Sequence, residues 1–411
     1  MGADLVKSPE RINFELQITV GKGQFPEGNR EMRRLLLVIL FVFALGQEAS
    51  AKSFRQDETV HERITRISTE TLNTEYEKAI LHTYELIDLY PHEPLPRFIL
   101  SSIYMYMLRS YWDFPTDGNY ALYKEKFKDA AAEAKKVCDA YPVQDAMVNY
   151  VRGMVLGAEG MVHLQDGEWP DSYSLGKSAV ASLEKSLELD PENYDAYLGL
   201  GMFEYYCSKL TGMVKILAWI VGFSGDSEKG IDYVTKAMKY GRYAEGPAKV
   251  FLAFALIEFE NKLDQGVEIA RTLRRQYPRN YVFIEYLLRA AKKLPDERAS
   301  EGIQWIESYV KTPDWRKGVI LFAPYNLDAV DQVQASLYMK QGDYAAARVL
   351  LEPLARRYAS PSAFSTEVNL ALLLIYKKTE NHAKAEQLYS VIMNNKSINN
   401  SHAKAREILK G

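Results

Sequence analysis

The sequence predicts an all-α protein, an α-solenoid of antiparallel helix pairs. From Glu58 onward apolar residues recur at i, i+3, i+4 and i+7, the period of a helix with one buried face. Proline and glycine punctuate the chain every 15 to 20 residues, a spacing that ends one helix and starts the next. No sustained period-two alternation competes with this pattern. Counting one helix per punctuated segment gives about eighteen helices, or about nine pairs, after residue 52.

The 411 residues are 47% hydrophobic and 26% charged, which excludes collagen-like, disulfide-dense and bulk-disordered classes. Fifty-one basic against 54 acidic side chains give a net charge of −3, so nothing global favours nucleic acid as a partner. Two cysteines, Cys138 and Cys207, exclude a disulfide scaffold or a multi-cysteine zinc site. They are expected to be buried free thiols on different helices.

The first element is a leader. Residues Met32 to Ala51 carry Arg33 and Arg34, an eleven-residue apolar run from Leu35 to Leu45, and Ala49-Ser50-Ala51. These are the three parts of a secretory signal, and the run is well short of the ~20 residues a spanning helix needs. Because such a signal starts at its initiator, Met32 is expected to be the start and residues 1–31 an untranslated or disordered extension. Residues 52–411 then form a single exported solenoid, periplasmic or envelope-associated.

Within the solenoid, the most regular stretch runs from Lys177 to Tyr206. Small Ala179 sits where two helices must approach, Leu183 and Leu187 continue its face, Asp190-Pro191 ends the helix, and Tyr197, Leu200 and Gly201 open the next. Tyr76 and Ala79 lead to Tyr90-Pro91, Ala130 and Ala134 to Tyr141-Pro142, and Val267 and Leu273 to Tyr277-Pro278. Gly342-Asp343-Tyr344 with Ala347 and Leu351, and Ala385 with Tyr389, repeat the opening without the final proline. This order of small and large residues resembles the tetratricopeptide repeat, a helix-turn-helix unit of 34 residues. The four prolines lie 51, 49 and 87 residues apart, so short insertions are expected, at Tyr111 to Asn119, Gln165 to Ser174 and Thr211 to Ser227.

The segment Leu217 to Asp226, with Gly222-Phe223-Ser224-Gly225-Asp226 as its turn and Gly230-Ile231 after it, is similar to the signature of the tetratricopeptide repeat protein 39 family, which includes the yeast inclusion body clearance protein. The similarity covers residues 175–295 and implies an α-solenoid without known catalytic residues. That family is intracellular, so the leader is a departure and the cellular role does not transfer. In the turn, Gly222 and Gly225 suit positive φ, and Ser224 or Asp226 can cap the next helix. Phosphate binding is disfavoured, because the Lys-Ser/Thr ending of a phosphate loop is missing and Asp226 would repel an anion.

Catalytic and metal signals are missing: no Gly-x-Ser-x-Gly, no His-Glu-x-x-His, and no two histidines placed at i+3 or i+4 with a carboxylate to make a metal face. No cofactor is implied, and a non-enzymatic protein is expected. Met147, Met154 and Met161 with Gly153, Gly157 and Gly160 read as a close helix contact, and the basic run Arg271, Arg274, Arg275 and Arg279 as a solvated helix end.

Binding on the concave face is the expected function. With Tyr197 and Gly201 at their repeat positions, the groove would be lined by Asp195, Leu198, Met202 and Tyr205, by Phe98 and Met105 in the early repeats, and by Phe251 and Glu258 later. These residues suit a protein or peptide partner with an apolar or aromatic segment. The alternative is a lipid or hydrophobic-ligand carrier, in peripheral contact with a membrane, that uses the apolar stretch 210–223.

Overall fold

The structure is a computed structural model that describes residues 54, 57–112, 114–210, 225–313, 315–321 and 326–410. The leader, the extension before it, and Gly222, Phe223 and Ser224 lie outside the described residues, as does 211–223 of the apolar stretch. Seventeen α-helices and no strand are formed among the described residues, so the predicted class is the observed one. Among the described residues these helices make eight consecutive pairs and a terminal helix.

The first three pairs are α1 (Glu58–Leu72) with α2 (Tyr76–Leu89), α3 (Pro94–Arg109) with α4 (Gly118–Ala140), and α5 (Ala146–Gln165) with α6 (Trp169–Leu189). Next come α7 (Ala196–Lys209) with α8 (Ser227–Tyr240), and α9 (Glu245–Glu258) with α10 (Leu263–Gln276). In the sixth pair, α11 (Tyr281–Lys293) is matched by the short α12 (Ala299–Trp305), which runs into a π-helical turn at Ile306–Val310. Then α13 (Ala329–Lys340) pairs with α14 (Tyr344–Arg357), α15 (Ala363–Lys378) with α16 (His382–Asn394), and α17 (Ser401–Lys410) closes the array.

One expected insertion is corrected. Gln165 to Ser174 is only a three-residue turn, because Trp169-Pro170 opens α6 instead of breaking the chain. Proline in the first helical turn costs no hydrogen bond, since those N–H groups have no intrahelical acceptor. Among the described residues, 311–313, 315–321 and 326–328 form no helix, which the proline spacing did not reveal.

Close helix contacts sit where the small residues predicted them. Gly153 and Gly157 of α5 face Leu183 and Ala179 of α6, and Gly201 of α7 meets Gly230 of α8. Both thiols are free, and burial pushes Cys138 up to about 11 and Cys207 up to about 12, which leaves neither as a ready nucleophile.

Asp328 is the joint where the irregular stretch re-enters the array. Its carboxylate is buried and accepts from Arg316 Nη1 at 2.9 Å, from Tyr358 Oη at 2.9 Å and from Arg357, tying the start of α13 to the end of α14. Burial alone would raise its pKa, but the bonds from Arg357, Arg316 and Tyr358 outweigh it and hold the carboxyl below its usual range. A depressed folded pKa gives stability that is present above the unfolded value of about 3.9 and is lost as pH falls through the folded one. Asp328→Asn is therefore expected to lower stability by about 1–3 kcal/mol at pH 7. Urea titrations of wild type and variant should converge as the pH drops below the carboxylate range, and a constant gap across that range would refute the assignment.

Candidate functional site

Repeat phase places the eight groove candidates on inward-turned sides of first helices, yet five of them are buried. Met105, Asp195, Leu198, Tyr205 and Phe251 are each less than a tenth exposed. Phe98, Met202 and Glu258 are part-exposed, and Glu258 is engaged by Lys293 at 2.9 Å and Arg289 at 3.3 Å.

The structure does bring one group of candidates together. Leu198, Tyr205 and Phe251 share a core with Met202 packed against it, and the Tyr205 and Phe251 rings meet edge-on at 5.3 Å. Tyr205 Oη donates to Glu260 Oε1 at 2.9 Å. Phe98 lies elsewhere, edge-on to Tyr150 at 5.9 Å. Asp195 Oδ1 accepts from the backbone N–H groups of Tyr243 and Ala244, both at 2.9 Å, so its carboxylate holds the entry to α9 from the neighbouring pair. The five buried residues build the array and do not line an open groove; Phe98, Met202 and Glu258 stay part-exposed.

The first pair explains why. Leu72 joins the core formed by α9 to α13, and Tyr106 packs on that core. Asn280 Nδ2 donates to the carbonyl of Leu72 at 2.8 Å, Arg279 N to Asn73 Oδ1 at 3.1 Å, and Arg279 Nη1 pairs with Glu75 at 3.3 Å. His61 and Tyr243 bond across the same junction. The array thus comes round so that pair one docks on pairs five and six. Burial raises the phenols of Tyr106, Tyr206 and Tyr286, partly offset in each by the charge of Arg109. The expected groove is corrected for Met105, Asp195, Leu198, Tyr205 and Phe251, whose side chains are packed inside the array.

Beyond this closure the first-helix face opens. On α13, Gln332, Ser336 and Met339 are part-exposed at helical spacing; on α15, so are Leu370, Leu374 and Lys377, with Glu367 exposed. Gln332 Nε2 donates to Glu367 Oε2 at 2.8 Å, and Lys377 Nζ to the carbonyl of Leu409 at 3.2 Å. The two bonds fix both ends of one continuous face across α13, α15 and α17. Met339, Leu370 and Leu374 give it an apolar middle; Glu367 and Lys377 give it ends of opposite charge. Sequence reasoning missed these residues although Ala347 and Ala385 set the same frame here, because the repeat around Gly201 is the more regular one.

At the glycine turn, Gly225 has φ +58° with the backbone of Cys207 and Ser208 against it. Asp226 caps α8, its Oδ1 accepting from Glu228 N at 2.9 Å and Lys229 N at 3.1 Å. A cap already engaged with its own helix explains the turn structurally. No helix among the described residues is long and apolar enough to cross a membrane.

No curated protein matches the chain. The tetratricopeptide repeat family model matches residues 333–393, from α13 to α16; it lies outside residues 175–295 and lends the narrower resemblance there no support. The chain is an α-solenoid of helix pairs that over residues 333–393 is similar to the tetratricopeptide repeat family.

Proposed function

We propose that the protein is an exported, non-enzymatic scaffold that holds a protein or peptide partner on the first-helix face of its C-terminal repeats. Tetratricopeptide repeats typically mediate protein–protein interaction. The observation that carries the reading is the face itself: Met339, Leu370 and Leu374 are part-exposed beside Glu367 and Lys377, inside the segment that matches the repeat family. An extended segment or a partner helix with an apolar centre and flanking charges is the complement of such a face. Export rests on the leader of Met32 to Ala51, and predicts an intact mass beginning at Lys52 for protein recovered from the envelope fraction.

A photocrosslinking residue at position 374 is expected to capture a discrete partner, and one at Val349, which is 68% exposed on α14, is expected not to. Glu367→Lys combined with Leu374→Asp should abolish capture from a probe at position 370. Its melting should stay close to wild type, since surface substitutions usually change stability by only about 0.5 kcal/mol each. Equal capture at 374 and 349, or capture that survives the double substitution, refutes the face.

A further inference from the structure

His163, Glu168 and Asp171 come together at the turn between α5 and α6. One ligand atom from each, the histidine nitrogen and two carboxylate oxygens, lies within 4.8 Å of both others. His163 Nδ1 and Glu168 Oε2 are 2.5 Å apart. The residues are five and eight positions apart, so no single-helix spacing reveals them.

Backbone geometry makes the cluster. Gly167 has φ +80°, Glu168 N donates to the carbonyl of His163 at 2.8 Å, and Gly167 N to the carbonyl of Leu164 at 3.1 Å. This pair of bonds is a Schellman motif, which folds the residue after the glycine back over the last turn of the helix. The two positions brought together, 163 and 168, commonly carry an apolar contact in such motifs. Here they carry an imidazole and a carboxylate. Glu168 also stands at the N-cap of α6 but makes no capping bond with its side chain, because that carboxylate turns to His163. Among the described residues no lysine or arginine pairs with Glu168 or Asp171, whereas neighbouring Asp166 is taken by Lys124 at 2.5 Å and Tyr120 at 2.8 Å. Two carboxylates without cations thus face one histidine nitrogen.

We propose that His163, Glu168 and Asp171 form a surface site for a divalent first-row transition ion, with zinc as its expected occupant. One imidazole and two carboxylates form a borderline donor set that suits zinc, whereas calcium and magnesium take oxygen donors alone. The two carboxylates neutralise the ion, and the part-exposed position leaves a coordination place for water or for a side chain of another molecule. The ion would clasp the end of α5 to the start of α6. It would also stiffen the contact to the second pair, where Gln165 Nε2 donates to the carbonyl of Trp112 at 3.2 Å.

The test uses the full chain with Co²⁺ as a visible probe and Zn²⁺ as competitor. One equivalent of Co²⁺ should give the d–d absorption of a low-coordinate nitrogen and oxygen site, and Zn²⁺ should remove it. His163→Ala, and separately Glu168→Gln with Asp171→Asn, should lose that equivalent while keeping the helical circular dichroism of the wild type. His82→Ala, at a histidine bonded instead to Glu70 at 2.7 Å, should keep it. No absorption in the wild type, or absorption that persists in His163→Ala, overturns the site.

Discussion

Tyr205→Ala is expected to destabilise the protein by about 3–5 kcal/mol, the range for deleting a buried aromatic side chain. Tyr205 is fully buried and its ring meets Phe251 at 5.3 Å, Tyr206 at 6.2 Å and Phe259 at 6.2 Å, all edge-on. Such pairs add about 0.5–1.5 kcal/mol beyond burial. Its hydroxyl donates to Glu260, which Lys209 also holds at 2.6 Å, so Tyr205→Phe keeps the rings and loses only a charge-assisted bond, at about 1.5–3 kcal/mol. Because a repeat array need not unfold in one step, hydrogen exchange is the sharper readout. Protection should fall first in α7 and α9, with α15 and α16 unaffected. If Tyr205→Ala melted like the wild type yet lost partner capture, Tyr205 would belong to the binding face after all and the packing described above would be wrong.

The contrast between Tyr205 and Leu374 shows what periodicity can deliver. Both residues sit on a first helix, Tyr205 four residues after Gly201 and Leu374 on the helix that precedes Ala385. Whether an inward side meets solvent depends on how far the array has come round. Pair one docks on pairs five and six through Leu72, Asn73 and Glu75, about two hundred residues from Arg279 and Asn280. Contacts at that separation leave no mark on a local pattern. Local chemistry misled where one residue type has two roles: Pro170, inside the insertion expected at Gln165 to Ser174, opens a helix. His163 and Glu168 were invisible for a related reason, since a glycine in the left-handed region brings together residues that no helical wheel aligns.

Gly230→Val is expected to prevent α7 and α8 from docking, the largest effect of any single substitution considered. A Cβ on Gly230 would lie 2.8 Å from the carbonyl oxygen of Gly201 and 2.8 Å from the backbone nitrogen of Tyr205, and one on Gly201 would lie 2.7 Å from the carbonyl oxygen of Gly230. These neighbours are backbone, so no rotamer change relieves the overlap and the helices must separate. Overpacking of this kind costs about 1–3 kcal/mol even for added methylenes that side chains can partly absorb. Gly230→Ala gives a cleaner test, because helix propensity alone favours alanine over glycine by about 0.8–1.0 kcal/mol. At Gly157, where a Cβ would meet only the Ala179 methyl at 3.8 Å, that preference should show, and Gly157→Ala is expected to leave stability unchanged or raise it. At Gly230 the sign should reverse, with increased exchange along α7 and α8 and a lower midpoint in urea. Equal effects at the two positions would mean that α7 and α8 do not touch at their backbones. The seat of Tyr205, one turn beyond Gly201 on the same helix, would then lose its explanation as well.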